Sequence, residues 1–191
     1  MARTHSKAAT TLDDLLNRAK TRPPIRVAVV AADQALVLQT IKQATSLGLI
    51  VPRLIGDPDA ILAGAKEIGL TIRRETIIAA NSEAEAARAG VDLVRSGDAD
   101  AVMKGYIHTD ILMRALLDST RGLRIPGQRV SHVFMIDIPS YPKLLAVTDA
   151  AINITPDLTA KQQILQNAVA LLHHLGTTTP KVAVLSAVET V

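Results

Sequence analysis

The hydrophobic and polar positions of this chain fall into alternating strand and helix periods. IRVAVVAAD, from Ile25, is a continuous apolar run of the kind a parallel strand covered on both faces requires. A helix over roughly Gln34 to Leu47 follows, with Val37, Ile41 and Ala44 inward and Gly48 as its C-terminal cap. LIVPRLIGD, from Leu49, is the next strand, where Pro52 argues for an edge position or a short strand. Pro58 opens a helix ending near Gly69, and a third strand signal lies within Leu70 to Ala79. Ser82 and Glu85 make the S-x-x-E capping box of a helix reaching about Ser96. Ahead of these, Thr11 to Lys20 has Leu12, Leu15 and Leu16 on one side and reads as a short amphipathic helix, stopped by Pro23 and Pro24.

The stretch DAVMKGYIHTDILMRALLD, Asp100 to Asp118, closes this series. Ala101, Val102 and Met103 form a buried strand end, Gly105 permits close backbone approach, and Thr109 is placed to cap a helix with Ile111, Leu112, Ala115 and Leu116 inward. Lys104 and His108 then stand beside a helix start, where free N–H groups and the helix dipole favour a phosphate or carboxylate. A plain turn with solvated charges has the same pattern. Four strand-helix units in succession predict a parallel sheet with helices on both faces, whose ligands sit at the carboxyl ends of strands.

The rhythm changes after Asp118. STRGLRIPGQRVSH, Ser119 to His132, carries three arginines and no acid and reads as a linker or hinge. SHVFMID and KLLAVTD predict two strands of an antiparallel hairpin joined by Ile138 to Pro142. After the polar loop TDAAINITPD, Pro156 and Asp157 start a helix ending at Gly176, with Ile164, Leu165, Ala168, Val169 and Leu172 inward. KVAVLSA, from Lys181, reads as a last buried strand. The chain thus divides into a first α/β domain, residues 1–125, and the start of a second, residues 126–191.

With 191 residues and 48% hydrophobic content, the chain can bury a substantial core. Aromatic residues make up only 2%, so base stacking is poorly served, and the net charge of +3 is dispersed; nucleic acid is not an expected partner. The absence of cysteine excludes disulfides, thiolate metal sites and a cysteine nucleophile. No apolar run approaches the roughly 20 residues of a membrane span, and a cytoplasmic protein without membrane association is expected. There is no G-x-G-x-x-G dinucleotide fingerprint, no G-x-x-x-x-G-K-[ST] loop and no G-x-S-x-G hydrolase elbow; with neither H-E-x-x-H nor D-x-D-x-D-G present, no metal site is expected.

Arg114, Arg121, Arg124 and Arg129 cluster beyond the candidate turn, and guanidinium forks suit phosphate. Each also reads as a solvated loop charge. Asp149 and Asn153 lie where a carboxylate and an amide orient a ligand, brace a junction, or serve as ordinary turn residues.

Taken together and in order, MKGYIHT, GLR, RVSHVFMIDIP, TDAAINITP and KVAVLSAVETV closely resemble the phosphate acetyltransferase and phosphate butyryltransferase family, over about Val27 to Val191. The resemblance implies reversible acyl transfer between coenzyme A and inorganic phosphate, giving acyl phosphate. It implies a three-layer α/β/α fold like that of isocitrate and isopropylmalate dehydrogenases, with an active site between two α/β domains, and a homodimer or higher homo-oligomer. Coenzyme A enters as a substrate, alongside acyl-CoA and phosphate, and no cofactor is implied. By motif, Lys104, Gly105, His108 and Thr109 match the cleft-facing turn, and Arg114 falls near the family's cleft-facing arginine. Ser131 and His132 match the SHV segment, Asp149, Asn153 and Pro156 the D-x-x-x-N-x-x-P loop, and Ser186 a strand-end serine. The family's D-G-P-x-x-x-D region, with the acid expected to take the thiol proton, would lie beyond Val191, so the catalytic base is unassigned and activity at this length is in question. A non-catalytic coenzyme A or phosphate-binding module, and a dehydrogenase of the same fold, are the rival readings.

Overall fold

The structure, a computed structural model, describes residues 8–150 and 152–185. These form two compact units, one of Arg18–Pro126 and one of the described residues within 8–17 and 127–185, and the division falls inside helix α1, Leu12–Lys20.

In the first unit, strands β1 (Ile25–Val30), β2 (Ile50–Gly56), β3 (Ile78–Ala79) and β4 (Ala101–Lys104) alternate with helices α2 (Ala35–Ser46), α3 (Pro58–Glu67), α4 (Glu83–Ser96) and α5 (Thr109–Leu117). All strand pairs are parallel, in the order β3-β2-β1-β4. Burial along β1 shows why its apolar run is unbroken. Ala28 and Val30 pack with Ala86, Ala87 and Val91 of α4 and Leu112 and Ala115 of α5. Val27 and Val29 point the other way, onto Leu38 and Ile41 of α2 and Ile61 of α3. The result is the expected three-layer α/β/α arrangement.

Local chemistry explains the ends of the helices. Asp57 accepts hydrogen bonds from the N–H groups of Asp59 and Ala60 at the start of α3, and Pro58 takes the first helical position, where a missing N–H costs nothing. At α4 the Ser82 hydroxyl accepts from the Glu85 N–H at 3.2 Å, while the Glu85 carboxylate accepts from the Asn81 N–H at 2.8 Å. The reciprocal half of the capping box therefore reaches one residue further back than the sequence pattern implies.

Two expectations in this unit need correction, and a third is narrowed. β2 is an interior strand, despite Pro52; β3 pairs only with Ile55 and Gly56, so at Pro52 a partner is present on the β1 side alone. The third strand lies within the expected Leu70 to Ala79 and takes up its last two residues, since Arg74–Thr76 winds into a 3₁₀ turn in which Arg74 reaches back to Asp59. Thr109 is the first residue of α5, and His108, in extended conformation, holds the cap position.

The second unit pairs strands β5 (Val133–Ile136) and β6 (Leu145–Thr148) antiparallel, as expected, with helix α6 (Leu158–His174) packing against β6. Asp157 caps α6 through the Ala160 N–H at 2.7 Å. The cross-strand pairs Phe134 with Val147 and Ile136 with Leu145 leave one apolar face of the hairpin exposed. At the N-terminal end, the Leu12 N–H donates to Asp137 at 3.0 Å. Residues 181–185 take no strand conformation and are exposed, contrary to the buried strand expected from Lys181. Their alternation of Val182, Val184 and Leu185 meets no sheet partner among the described residues, and without that pairing an apolar run has no reason to extend. Among the described residues, no helix is long and apolar enough to cross a membrane.

Candidate functional site

The strand order locates the first cluster. From β1 the chain steps to β2 and β3 with α2 and α3 on one face; α4 then carries it back past β1 on the opposite face to β4. The reversal makes the carboxyl ends of β1 and β4 a topological switch point, where open α/β sheets bind ligands. Lys104 and Gly105 stand there.

Gly105 is required by contact. Its N–H donates to the Val30 carbonyl at 2.8 Å, the Tyr106 N–H donates to Ala31 at 2.9 Å, and a Cβ on Gly105 would overlap the carbonyl oxygens of both Val30 and Ala31. Ala31 itself has a positive φ of 54°, a conformation that costs a non-glycine residue about 1 kcal/mol or more. The β1 end is therefore bent out of strand geometry where the β4 turn closes on it. Lys104 is exposed at the rim.

His108 is held from two directions. Its backbone N–H donates to the Glu83 carboxylate at 3.0 Å, and its ring Nδ1 lies 3.0 Å from both oxygens of the same carboxylate. These bonds, the backbone one foremost, keep the Glu83 carboxyl below its ordinary range, with Lys104 adding a weaker attraction. With its Nδ1 turned to Glu83, the imidazole does not cap the first turn of α5, whose N–H groups donate no bond to the His108 side chain. Arg114 lies one turn further on, paired with Asp110 at 3.6 Å in an exposed i,i+4 contact. Such a pair is worth only a few tenths of a kcal/mol and leaves the guanidinium accessible.

The segment after α5, expected as a flexible linker, is fastened at its start. Asp118 accepts from the N–H groups of Thr120 and Arg121 and from the Thr120 hydroxyl, at 2.7–2.9 Å, which lowers its carboxyl to about 2. Arg88 and Arg95 bond the carbonyls of Thr120, Arg121 and Gly122, and Arg121 pairs with Asp92 at 3.0 Å. Arg121 is thereby committed to α4, a role its position in the sequence does not reveal.

The second cluster lies in the other unit. Asp149 sits at φ 54°, in the left-handed region that short polar residues tolerate. Its carboxylate accepts from the N–H groups of His132 at 3.3 Å and Asn153 at 3.0 Å, and its own N–H donates to the His132 carbonyl at 2.8 Å. Asn153 donates its side-chain amide to the Val130 carbonyl and accepts from Arg129, at 3.0 and 2.9 Å. Asn167 of α6 completes the set by donating to the Arg129 carbonyl and the Ser131 hydroxyl. Of the roles open to Asp149 and Asn153 from sequence, these bonds serve bracing. They also show two residues the sequence did not single out, Asn167 and Gln163, which accepts from Arg129 at 3.3 Å. His132 stacks edge-on against Phe134 with 4.0 Å between ring centroids, and its buried Nδ1 has no hydrogen-bond partner. Ser186 lies outside the described residues.

The strand order, with helices on both faces, defines a doubly wound α/β unit, a class that binds ligands at its switch point. The solved structures share that fold. A phosphotransacetylase from Streptococcus pyogenes superposes with a TM-score of 0.69 at 19% identity, covering 81% of this chain and 56% of that one, and shares the fold. A branched-chain phosphotransacylase from Enterococcus faecalis V583 gives 0.67 at 29% identity, over 87% and 57%. By sequence, residues 75–191 match phosphate acetyl/butaryl transferase, and the chain belongs to that family. It is 47% identical over 150 residues to a phosphate acetyltransferase of Rhizobium meliloti, covering 78% of this chain and 47% of the relative. To a phosphate butyryltransferase of Clostridium beijerinckii it is 37% identical over 179 residues, covering 94% and 59%. The chain thus spans about half the length of the curated relatives it matches.

Proposed function

We propose that this chain forms part of a phosphate acyltransferase that moves an acetyl or butyryl group between coenzyme A and inorganic phosphate, giving acyl phosphate. The observation that carries the reading is the placement of Lys104 and Gly105, within the family-matched segment, at the switch point between β1 and β4. Transfer passes through a tetrahedral carbon bearing an oxyanion next to a phosphate. Lys104, the free N–H groups opening α5 and the accessible guanidinium of Arg114 are the donors such a charge distribution needs. Holding thiol and acyl phosphate together supplies a further share of the rate. In this reading Ser131, His132, Asp149, Asn153 and Ser186 also take part in substrate binding, Asp149 and Asn153 by holding the backbone at His132 and Val130. Coenzyme A acts as a substrate and no other cofactor takes part; the protein works in the cytoplasm as a homo-oligomer.

The test is coenzyme A release from acetyl-CoA and butyryl-CoA on addition of phosphate, alongside thermal denaturation with coenzyme A or phosphate. Phosphate-dependent release supports the reading. Stabilisation without turnover makes the chain a binding module instead, and the absence of both responses overturns the proposal.

A further inference from the structure

Arg129 has no part in the transfer proposed above, a reading on which this inference rests. Its guanidinium is nevertheless held in place. Three arginines that fasten the first unit do so against acids: Arg26 meets Asp100, Arg74 meets Asp59 and Arg121 meets Asp92. Arg129 is held by amides. Its Nε donates to the side-chain carbonyl of Gln163 at 3.3 Å and its Nη1 to that of Asn153 at 2.9 Å. Both holders are themselves fixed, Gln163 by donating to the Gly127 carbonyl and Asn153 by donating to the Val130 carbonyl. The Arg129 backbone is gripped as well, its carbonyl accepting from Asn167 of α6 at 2.8 Å. Among the described residues no carboxylate pairs with Arg129, and its Nη2 makes no hydrogen bond.

We propose that Arg129 is a phosphate-binding residue whose guanidinium Gln163 and Asn153 orient without neutralising it. An arginine that serves only as a fastener is held better by a carboxylate, because charge-assisted bonds are about twice as strong as those between neutral groups. Amide partners fix the direction of the guanidinium and leave its full positive charge. Nη2 and one hydrogen of Nη1 remain to donate, and Arg129 is exposed. The ordering that an anion would otherwise impose on a flexible side chain is already present in the fold, which removes that cost from binding. The acid bonded into this network, Asp149, is occupied by the N–H groups of His132 and Asn153.

Two residues on, the Ser131 hydroxyl accepts from Asn167 at 2.9 Å, so its own proton is left to donate. A planar cation and a hydroxyl donor suit the oxygens of a phosphate group. Inorganic phosphate and coenzyme A both carry that group, and the two are separated by titrating each alone.

The decisive variant is Gln163→Glu, which keeps the shape of the holder and sets a carboxylate against the guanidinium. Gln166→Glu, at an exposed position one turn further along α6, adds the same charge away from that contact. Arg129→Lys keeps the charge and loses the fork. Calorimetric titration of the 191-residue chain with inorganic phosphate and, separately, with coenzyme A reads affinity, and thermal denaturation reads the fold. The expected result is an affinity about 10-fold lower in Gln163→Glu for at least one of the two, with the melting midpoint held or raised. Gln166→Glu should change either affinity by less than about 2-fold, as a screened surface charge does. Arg129→Lys should fall between the parent and Gln163→Glu. A loss with inorganic phosphate assigns Arg129 to that substrate, and a loss with coenzyme A alone assigns it to a phosphate of the coenzyme. Should Gln163→Glu melt early, Arg129→Lys decides, and parental affinity in that variant overturns the inference. Unchanged affinity for both ligands in a well-folded Gln163→Glu, or equal losses in Gln163→Glu and Gln166→Glu, also overturns it while sparing the acyltransferase reading. A parent chain that binds neither ligand overturns both.

Discussion

The carboxylate of Asp33 fills the space that a side chain on Gly56 would need. A Cβ at Gly56 would overlap Asp33 Oδ1, and the residue also has a φ of 154°, where L side chains are strained. The Asp57 N–H, next in the chain, donates to the same oxygen at 3.1 Å, so the ends of β1 and β2 are tied through one carboxylate. Gly56→Ala is expected to cost about 2–4 kcal/mol in urea denaturation, from clash and backbone strain together. Adding Asp33→Ala should recover the clash and leave the strain. Strict additivity of the two losses would show that they do not share this space.

Asp33 and Asp118 titrate with opposite consequences. Burial pushes the Asp33 carboxyl up, so its ionised form is a cost to the fold that is relieved as pH falls through the raised value. Asp118, held near 2 by the N–H groups of Arg121 and Thr120, contributes stability that is complete above its ordinary value of 3.8 and lost as pH falls from there through about 2. Asp59, Asp100 and Glu83, all lowered by their partners, share the second direction. Acidification from neutral should therefore first raise or hold the denaturation midpoint and then lower it below about pH 4. Asp33→Asn should flatten the first arm and Asp118→Asn shrink the second; an unchanged profile in both variants would contradict the assignment.

Asn153 is predicted to act on stability before binding. Asn153→Ala removes the bond to the Val130 carbonyl and leaves Arg129 without one of its acceptors, costing roughly 1–3 kcal/mol. The thermal midpoint should fall. A variant with unaltered melting but weakened phosphate or coenzyme A binding would make Asn153 a ligand contact instead.

Lys104 and Gly105 are neighbours with opposite expected phenotypes. Lys104→Ala, at an exposed position, should leave stability within about 0.5 kcal/mol. It should weaken phosphate or coenzyme A binding by roughly 10-fold, the order of a charge-assisted hydrogen bond. Gly105→Ala should cost about 3 kcal/mol, because both Val30 and Ala31 carbonyls stand in the way. Calorimetric titration and denaturation on the same two variants separate the effects.

Pattern alone exposed the sheet's middle because β1 is buried from both sides, and a run such as Val27 to Val30 has no other use. Asp57, Pro58 and Ser82 likewise declare helix starts through bonds made within three residues. Where partners are distant the sequence is silent. Nothing local tells that Glu83 meets His108, that Arg121 pairs with Asp92, or that Asn167 spans Arg129 and Ser131. Pro52 misled for a related reason: its tolerance depends on how short β3 is, and that is decided by the Arg74 turn downstream. Lys104 and His108 could be placed from sequence beside a strand-end turn, but the order β3-β2-β1-β4, which makes that turn a switch point, is a property of tertiary pairing.

That order also sets when the turn comes into existence. β1 meets β2 through Ile25 and Ile50, yet its other neighbour is β4, joined by Val27 with Ala101 and by the Arg26 and Asp100 ion pair across 74 positions. Closing the longer loop costs only about 1 kcal/mol more than the shorter, but it cannot begin until that much chain is available. On a ribosome, β1 waits with one edge open while α2 to α4 are made. The bonds from the Gly105 N–H to Val30 and from the Tyr106 N–H to Ala31 wait on the strand of this sheet that is made last, so the turn at the switch point is also the closing seam of the sheet, and a ligand held there would act as a clasp on folding.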